Sequence, residues 1–234
     1  MSNSSQEKTL YKLSPSDFAY LWEECKFCYY EKVKLGISHS GIFPAMFGRI
    51  NKLLQDSVIG KNLQEISKEM PSGIIDRQEG FIKSIQIPGT NCYLNGRYDL
   101  LIKLDDGTFA IIDFKITTPD EEQILKKYAT QLHAYKYALE NPMEDAPVKI
   151  SKLGIVSVHP SQMELKNGTI VFTSTPAWHP ITEDMDKFMG MIKEIDLVLD
   201  GELPKPSITC KLCIYRSHFE NNIENKTESA DIPF

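Results

Sequence analysis

The stretch Gly96-Arg97-Tyr98-Asp99-Leu100-Leu101-Ile102-Lys103-Leu104-Asp105-Asp106-Gly107-Thr108-Phe109-Ala110-Ile111-Ile112-Asp113-Phe114-Lys115-Ile116 reads as a β-hairpin. Asp105-Asp106-Gly107 suits a three-residue loop whose glycine takes the left-handed conformation. Such a loop pairs Leu104 with Thr108, and counting back along both strands sets Asp99 opposite Asp113. Tyr98, Leu100, Ile102 and Leu104 then share one face with Phe114, Ile112, Ala110 and Thr108, a mostly apolar surface for a core. The other face carries Asp99, Asp113 and Lys115. Two carboxylates directly opposed on a sheet lie roughly 5 Å apart and repel, so the arrangement calls for a cation between them. A divalent metal fits, because Mg²⁺ is commonly held by one or two carboxylates together with phosphate oxygens and water. Lys115 projects from the same face, where an ammonium can orient a metal-bound water or offset charge on a phosphate. The flanks matter as much as the charges. Ile111 to Ile116 embeds Asp113 and Lys115 in an apolar run, whereas a solvated edge strand alternates more cleanly.

Outward from the hairpin, the strands are expected at 81–87, 93–104, 109–116, 150–159 and 169–173. Thr118-Pro119-Asp120-Glu121 opens a helix with a capping box and proline at its first position; it runs to about Glu140 and stops before Pro142. Along it Ile124, Tyr128, Gln131, Tyr135 and Ala138 form one stripe at helical spacing, interrupted by the polar Gln131. Ser14-Pro15-Ser16-Asp17 starts an N-terminal helix with apolar Phe18, Leu21 and Trp22. Further helices are expected from Pro44 to Gln55, from Leu63 to Lys68 and, amphipathic and last, from Glu183 to Leu199. The order α-α-β-β-β-α-β-β-α gives an α/β (α+β) domain with a central mixed sheet flanked by helices. Residues 1–12 and 221–234 read as polar tails around one domain at 13–220, with no linker and no internal repeat.

Composition sets the outer limits. The 234 residues, 41% hydrophobic and 25% charged, are ordinary for a globular protein. No apolar run reaches the length of a membrane span and Met1 to Lys8 lacks a signal-peptide core, so a cytoplasmic protein is expected. The net charge of −6 speaks against a protein that coats nucleic acid, since that needs clustered Lys and Arg. It leaves room for an enzyme that holds one phosphate with a metal and a few local cations.

Four of the five cysteines form two C-x-x-C pairs, Cys25/Cys28 and Cys210/Cys213, near opposite ends of the chain. In a reducing compartment such pairs point to metal or redox chemistry. Four thiolates suit either a [4Fe–4S] cluster or a structural Zn²⁺. Cys92, alone in a strand, reads as a small core residue, and Trp178 and Tyr29 as core aromatics. His133 is expected to face away from the Gln131 stripe. A C-x-x-C redox protein would need a βαβ context that is missing here.

Gly96-Arg97-Tyr98-Asp99, Ile112-Asp113-Phe114-Lys115 and Gln131-Leu132-His133-Ala134-Tyr135, in that order, resemble the G-x-x-D, D-x-K and Q-x-x-x-Y motifs of the RecB-like branch of the PD-(D/E)XK nucleases. The resemblance implies a restriction-endonuclease-like fold and a metal-dependent DNA nuclease of repair, recombination, or CRISPR- or phage-related processing. It implies Mg²⁺ or Mn²⁺ at Asp99, Asp113 and the carbonyl of Phe114. Lys115 would be catalytic, and Gln131 and Tyr135 would organise the site and contact DNA. The implied partners are DNA, single-stranded or with free ends, and a helicase or other nucleic-acid-processing protein.

The chain departs from the pattern twice. Relatives often carry a histidine ligand in a G-x-x-x-H context, but Phe47-Gly48-Arg49-Ile50-Asn51-Lys52 offers Asn51 or Lys52 instead. Relatives with a cysteine-bound cluster, including small CRISPR-associated exonucleases, use one N-terminal and three C-terminal cysteines, whereas this chain has two and two, with Phe219 where the last would fall. The rival reading is a nuclease fold that binds nucleic acid or serves a structural role with weakened turnover.

Overall fold

The computed structural model describes residues 9–37, 45–117 and 120–218. The strands are β1 (Tyr11–Leu13), β2 (Gly73–Gln78), β3 (Phe81–Lys83), β4 (Cys92–Arg97), β5 (Leu100–Leu104), β6 (Phe109–Ile116), β7 (Ile150–Val158), β8 (Gln162–Lys166), β9 (Thr169–Thr173) and β10 (Ala177–Ile181). The helices are α1 (Pro15–Asp17), which passes directly into a π-helical turn (Phe18–Trp22), α2 (Lys26–Lys34), α3 (Ala45–Val58), α4 (Glu121–Glu140) and α5 (Met185–Asp200).

The central sheet runs β10-β7-β6-β5-β2 and is mixed: β6 and β7 are parallel, every other pairing in it antiparallel. The parallel pair follows from α4, a twenty-residue crossover that returns the chain to the start of the sheet. Asp120 caps α4 by accepting from the Gln123 amide, so the helix starts at Glu121. The Thr118 and Pro119 of the expected capping box, like Pro44, Phe219 and the tails 1–8 and 221–234, fall outside the described residues.

Both faces of the sheet are buried, in line with the apolar run that flanks Asp113 and Lys115. Leu100, Ile102, Leu104, Ala110, Ile112 and Phe114 pack with Leu63, Ile75 and Val156 on one side. Leu101 and Ile111, from the face that carries Asp113, pack on the other side with α4, α5 and the N-terminal helices. The Trp178 ring covers Gly154 of the neighbouring strand, where an added Cβ would stand 1.8 Å from it.

The expected strand 93–104 is two strands in two sheets. β4 belongs to a small sheet ordered β1-β4-β3, and the chain crosses into the central sheet at Tyr98-Asp99. Its antiparallel neighbour crosses at the same level, from β2 to β3 through Gln78-Glu79-Gly80. The two corners are tied by Glu79 N–H to Asp99 O at 2.8 Å and Tyr98 N–H to Gly80 O at 3.1 Å. Tyr98 thereby leaves the Leu100 face and joins the α4-side core. β1 also corrects the boundary of the N-terminal tail: Tyr11 is buried, and its hydroxyl donates to Asp200 at 2.9 Å. The short β1, β2, β8 and β10 were not legible as strands, and Leu63 to Lys68 forms only a 3₁₀ turn at Leu63–Glu65. No described helix is long and apolar enough to cross a membrane.

Candidate active site and cysteine centre

The β5–β6 ladder has the register read from the sequence. Leu100 pairs with Ile112 and Ile102 with Ala110, so Asp99, one step beyond β5, stands opposite Asp113. Asp99 is held by its flanks: its Oδ2 accepts from the Phe114 amide at 3.1 Å and faces Asn51 Nδ2 at 3.5 Å. Asp113 is only 2% exposed, and its Oδ2 lies 2.6 Å from Lys115 Nζ. This contact is an ion pair without the direction of a good hydrogen bond, and it leaves that oxygen free to accept.

From Lys115 the contacts run into α4. Lys115 Nζ reaches Gln131 Oε1 at 3.4 Å, and Gln131 Nε2 donates to the Tyr135 hydroxyl at 2.7 Å. The same ammonium sits 4.5 Å from the ring centroid of Tyr128. Asp99, Asp113, Phe114, Lys115, Gln131 and Tyr135 thus line one cleft of about 590 Å³. The α4 stripe is what brings the last two there: Ile124, Tyr128, Gln131, Tyr135 and Ala138 are all buried. His133 points elsewhere as expected, bonding Ala129 O and the Asp184 amide at the start of α5.

Burial, and then Asp113 opposite, push the Asp99 carboxyl up to about 7, against the opposing pull of Lys115, the Phe114 amide and Asn51. Burial works against a charge on Lys115, but Asp113 and Asp99 together outweigh it and raise its pKa. Burial and Asp113 likewise hold the Tyr135 hydroxyl protonated. Of the two carboxylates, Asp113 has the Lys115 ammonium beside it, and the cost of bringing them together falls on Asp99.

Two glycines make room for this geometry. A Cβ on Gly96 would meet Pro15 Cδ at 2.8 Å, so the glycine of the first motif lets the N-terminal helix close over the cleft. A Cβ on Gly80 would lie 2.2 Å from the Tyr98 ring, so Gly80 permits the corner that carries Asp99. Tyr20 also lines the cleft, its hydroxyl 3.0 Å from that of Tyr128. It is placed there by the π-turn, a backbone feature that no residue pattern announced. Tyr128 was visible as part of the stripe but was given no part in the site.

The cysteines come together at the other end of the N-terminal helices. Cys25 precedes α2 as its N-cap residue and Cys28 lies in its first turn. Cys210 and Cys213 lie at the start of the helical stretch 211–218. The four sulfurs lie within 4.8 Å of one another, so these residues could hold a metal. Cys25–Cys213, Cys28–Cys213 and Cys28–Cys210 are separated by 3.6, 3.5 and 3.9 Å. Burial and the neighbouring thiols push the Cys28 thiol up, and burial takes Cys213 to about 11. Burial opposes ionisation of Cys25 too, but the backbone amides of Cys28 and Ser207 and the adjacent thiols lower its pKa. Cys92 is fully buried and apart from them, as expected.

Comparison with known proteins agrees with this fold. The family model of the PD-(D/E)XK nuclease superfamily matches residues 38–218. The chain belongs to that superfamily. Among solved structures, the crystal structure of SSO0001 aligns with a TM-score of 0.52 at 19% identity, covering 91% of this chain and 87% of that one. An alkaline exonuclease (LHK-Exo) from Laribacter hongkongensis aligns with a TM-score of 0.42 at 13% identity, over 94% and 93% of the two chains. No curated protein sequence matches the chain. As a PD-(D/E)XK superfamily member it places the D-x-K residues on β6 and the Q-x-x-x-Y residues on α4.

Proposed function

We propose that this protein is a metal-dependent deoxyribonuclease of the RecB-like branch, with Asp99, Asp113, Lys115, Gln131 and Tyr135 as its active site. The observation that carries the reading is the pair of carboxylates, Asp113 buried and Asp99 half-buried, opposed across β5–β6 with a lysine bound to one of them. Mg²⁺ or Mn²⁺ would be held by Asp99, Asp113 and the carbonyl of Phe114, which leaves the strand on the same side as the amide that binds Asp99. The donors fit: all are oxygens, as these ions prefer, and a cation relieves the carboxylate repulsion. When bound, the ion supplies an acidified water and polarises a phosphodiester. Lys115, kept charged by its carboxylate neighbours, stabilises the phosphate as negative charge develops on it and orients the attacking water. Gln131 holds Lys115 on one side and Tyr135 on the other, so that ammonium and hydroxyl face the same phosphate. The water oxygen bonds to phosphorus, the P–O3′ bond breaks, and the released 3′-oxygen takes up a proton, leaving a 5′-phosphate and a 3′-hydroxyl. DNA that is single-stranded or has a free end is the substrate that the family implies.

The cysteine centre has a structural role in this reading. A tetrahedral Zn²⁺ with Zn–S bonds of about 2.3 Å needs sulfurs about 3.8 Å apart, and the three separations of 3.5–3.9 Å suit that. A [4Fe–4S] cubane places each thiolate on a different iron and needs a wider spread than this. The spacing therefore favours one ion over a cluster.

The test is incubation of linear single- and double-stranded DNA with the protein in Mg²⁺, Mn²⁺ or EDTA, beside Asp113→Ala and Lys115→Ala. Metal-dependent cleavage that falls by two orders of magnitude or more in both variants is expected (roughly the size of one lost catalytic group). Full cleavage by either variant would remove the active-site assignment. DNA binding with no cleavage in either metal would favour the alternative, a nuclease fold retained for binding.

A further inference from the structure

Asn51 faces the carboxylates from α3, across the cleft from the sheet. Its Nδ2 is directed at Asp99 Oδ2, 3.5 Å away, while its Oδ1 is buried with no hydrogen-bond partner. A buried amide oxygen left unpaired is costly, and half a turn of the amide would exchange the two ends. The neighbouring candidate is engaged elsewhere: Lys52 Nζ is bound to Asp56 at 2.7 Å, away from the cleft. Gln55, one turn on, also has an unpartnered buried amide but does not line the cleft. Gly48, one turn before Asn51, lines it with open space where a side chain would be.

We propose that Asn51 is a protein ligand of the divalent ion through Oδ1, completing an all-oxygen set with Asp99, Asp113 and the Phe114 carbonyl. The proposal rests on the metal site described above and adds a property to it. Imidazole at this position would favour transition metals, whereas carboxylate, amide and carbonyl oxygens favour hard ions. The site is therefore built for Mg²⁺, with less advantage to Mn²⁺ than a histidine-bearing site would give.

Isothermal titration of Mg²⁺ and of Mn²⁺ into the DNA-free protein, its cysteine centre loaded, tests this without reference to turnover. Asn51→Ala should weaken Mg²⁺ binding about tenfold or more. Asn51→Asp, which offers oxygen at both positions, should retain it or tighten it. Asn51→His should raise the affinity for Mn²⁺ relative to Mg²⁺, and Asp113→Asn should abolish binding of both. Unchanged Mg²⁺ affinity in Asn51→Ala alongside lost binding in Asp113→Asn would overturn the role of Asn51 alone. Weaker binding in Asn51→Asp would overturn it too, even if the alanine variant did not fold. Unchanged binding in Asp113→Asn would instead remove the metal site on which the proposal rests.

Discussion

The amide of Phe114 donates to the carboxylate of Asp99 at 3.1 Å, so the strand that bears Asp113 and Lys115 also fixes the acid opposite them. The orientation of Asp99 is set by backbone rather than by a mobile side chain. That preorganises half of the proposed metal site before any ion arrives.

It also stores repulsion. Asp99, pushed up to about 7 by burial and by Asp113, has a carboxyl pKa of about 3.9 in the unfolded chain. Because the folded value is the higher one, the associated stability is present below about pH 4 and lost as the pH rises towards 7. In EDTA the melting temperature should therefore fall between pH 5 and 8, Asp99→Asn should flatten that fall, and Mg²⁺ should raise the wild-type melt most at pH 8. A melt of the metal-free protein that is independent of pH, or lowered by Asp99→Asn, would contradict the opposed-carboxylate geometry.

Lys115 is the only cation ion-paired to Asp113 among the described residues. Replacing it with methionine keeps much of the stem but leaves a buried carboxylate unpaired, a loss on the order of 3–5 kcal/mol. We expect Lys115→Met to melt lower in EDTA and to regain part of the difference when Mg²⁺ is added. Denaturant unfolding in the two buffers measures both. Equal stability of wild type and variant in EDTA would mean that the ion pair is not formed.

Gly80→Ala should damage a site that it does not line. The added methyl would collide with the Tyr98 ring and displace the corner bonds to Asp99. A stability loss of about 1–3 kcal/mol is expected from overpacking, together with a fall in cleavage rate. Gly190→Ala is the control: its Cβ meets nothing within 4 Å on α5, and it should stabilise by about 1 kcal/mol through helix propensity. Wild-type activity in Gly80→Ala would show that the corner is dispensable.

The cysteine centre joins α2 to the helical stretch 211–218, beside the 2.7 Å ion pair of Arg216 with Glu31. Stoichiometric zinc in colourless protein is expected, and Cys213→Ser should lose it. Hydrogen exchange should then rise first in α2 and 211–218, while α4 and β6 stay protected, because metal binding contributes to the folding of the segments it ties. Brown protein containing iron would favour the cluster instead. Unchanged exchange after metal loss would mean that the centre does not hold the ends.

The hairpin register, the α4 stripe and the convergence of two C-x-x-C pairs were all legible in the sequence, because each rests on local periodicity or on the chemistry of a few residue types. Ladder pairing follows from the loop around Gly107, and Gln131 reaches Lys115 because helix spacing carries it there. What the sequence could not fix was the crossing at Tyr98-Asp99. An uninterrupted β-prone run gives no local signal that a strand changes sheets; that is decided by the partner corner at Glu79-Gly80 and by the ring of Tyr98. The π-turn that presents Tyr20 and the approach of Asn51 to Asp99 share that origin. The sequence by itself determined which residues can do chemistry and which face of each element they occupy, since side-chain direction follows backbone period. Only the tertiary structure decided how those faces meet and how deeply the charges are buried, because desolvation and close packing depend on neighbours distant in the chain.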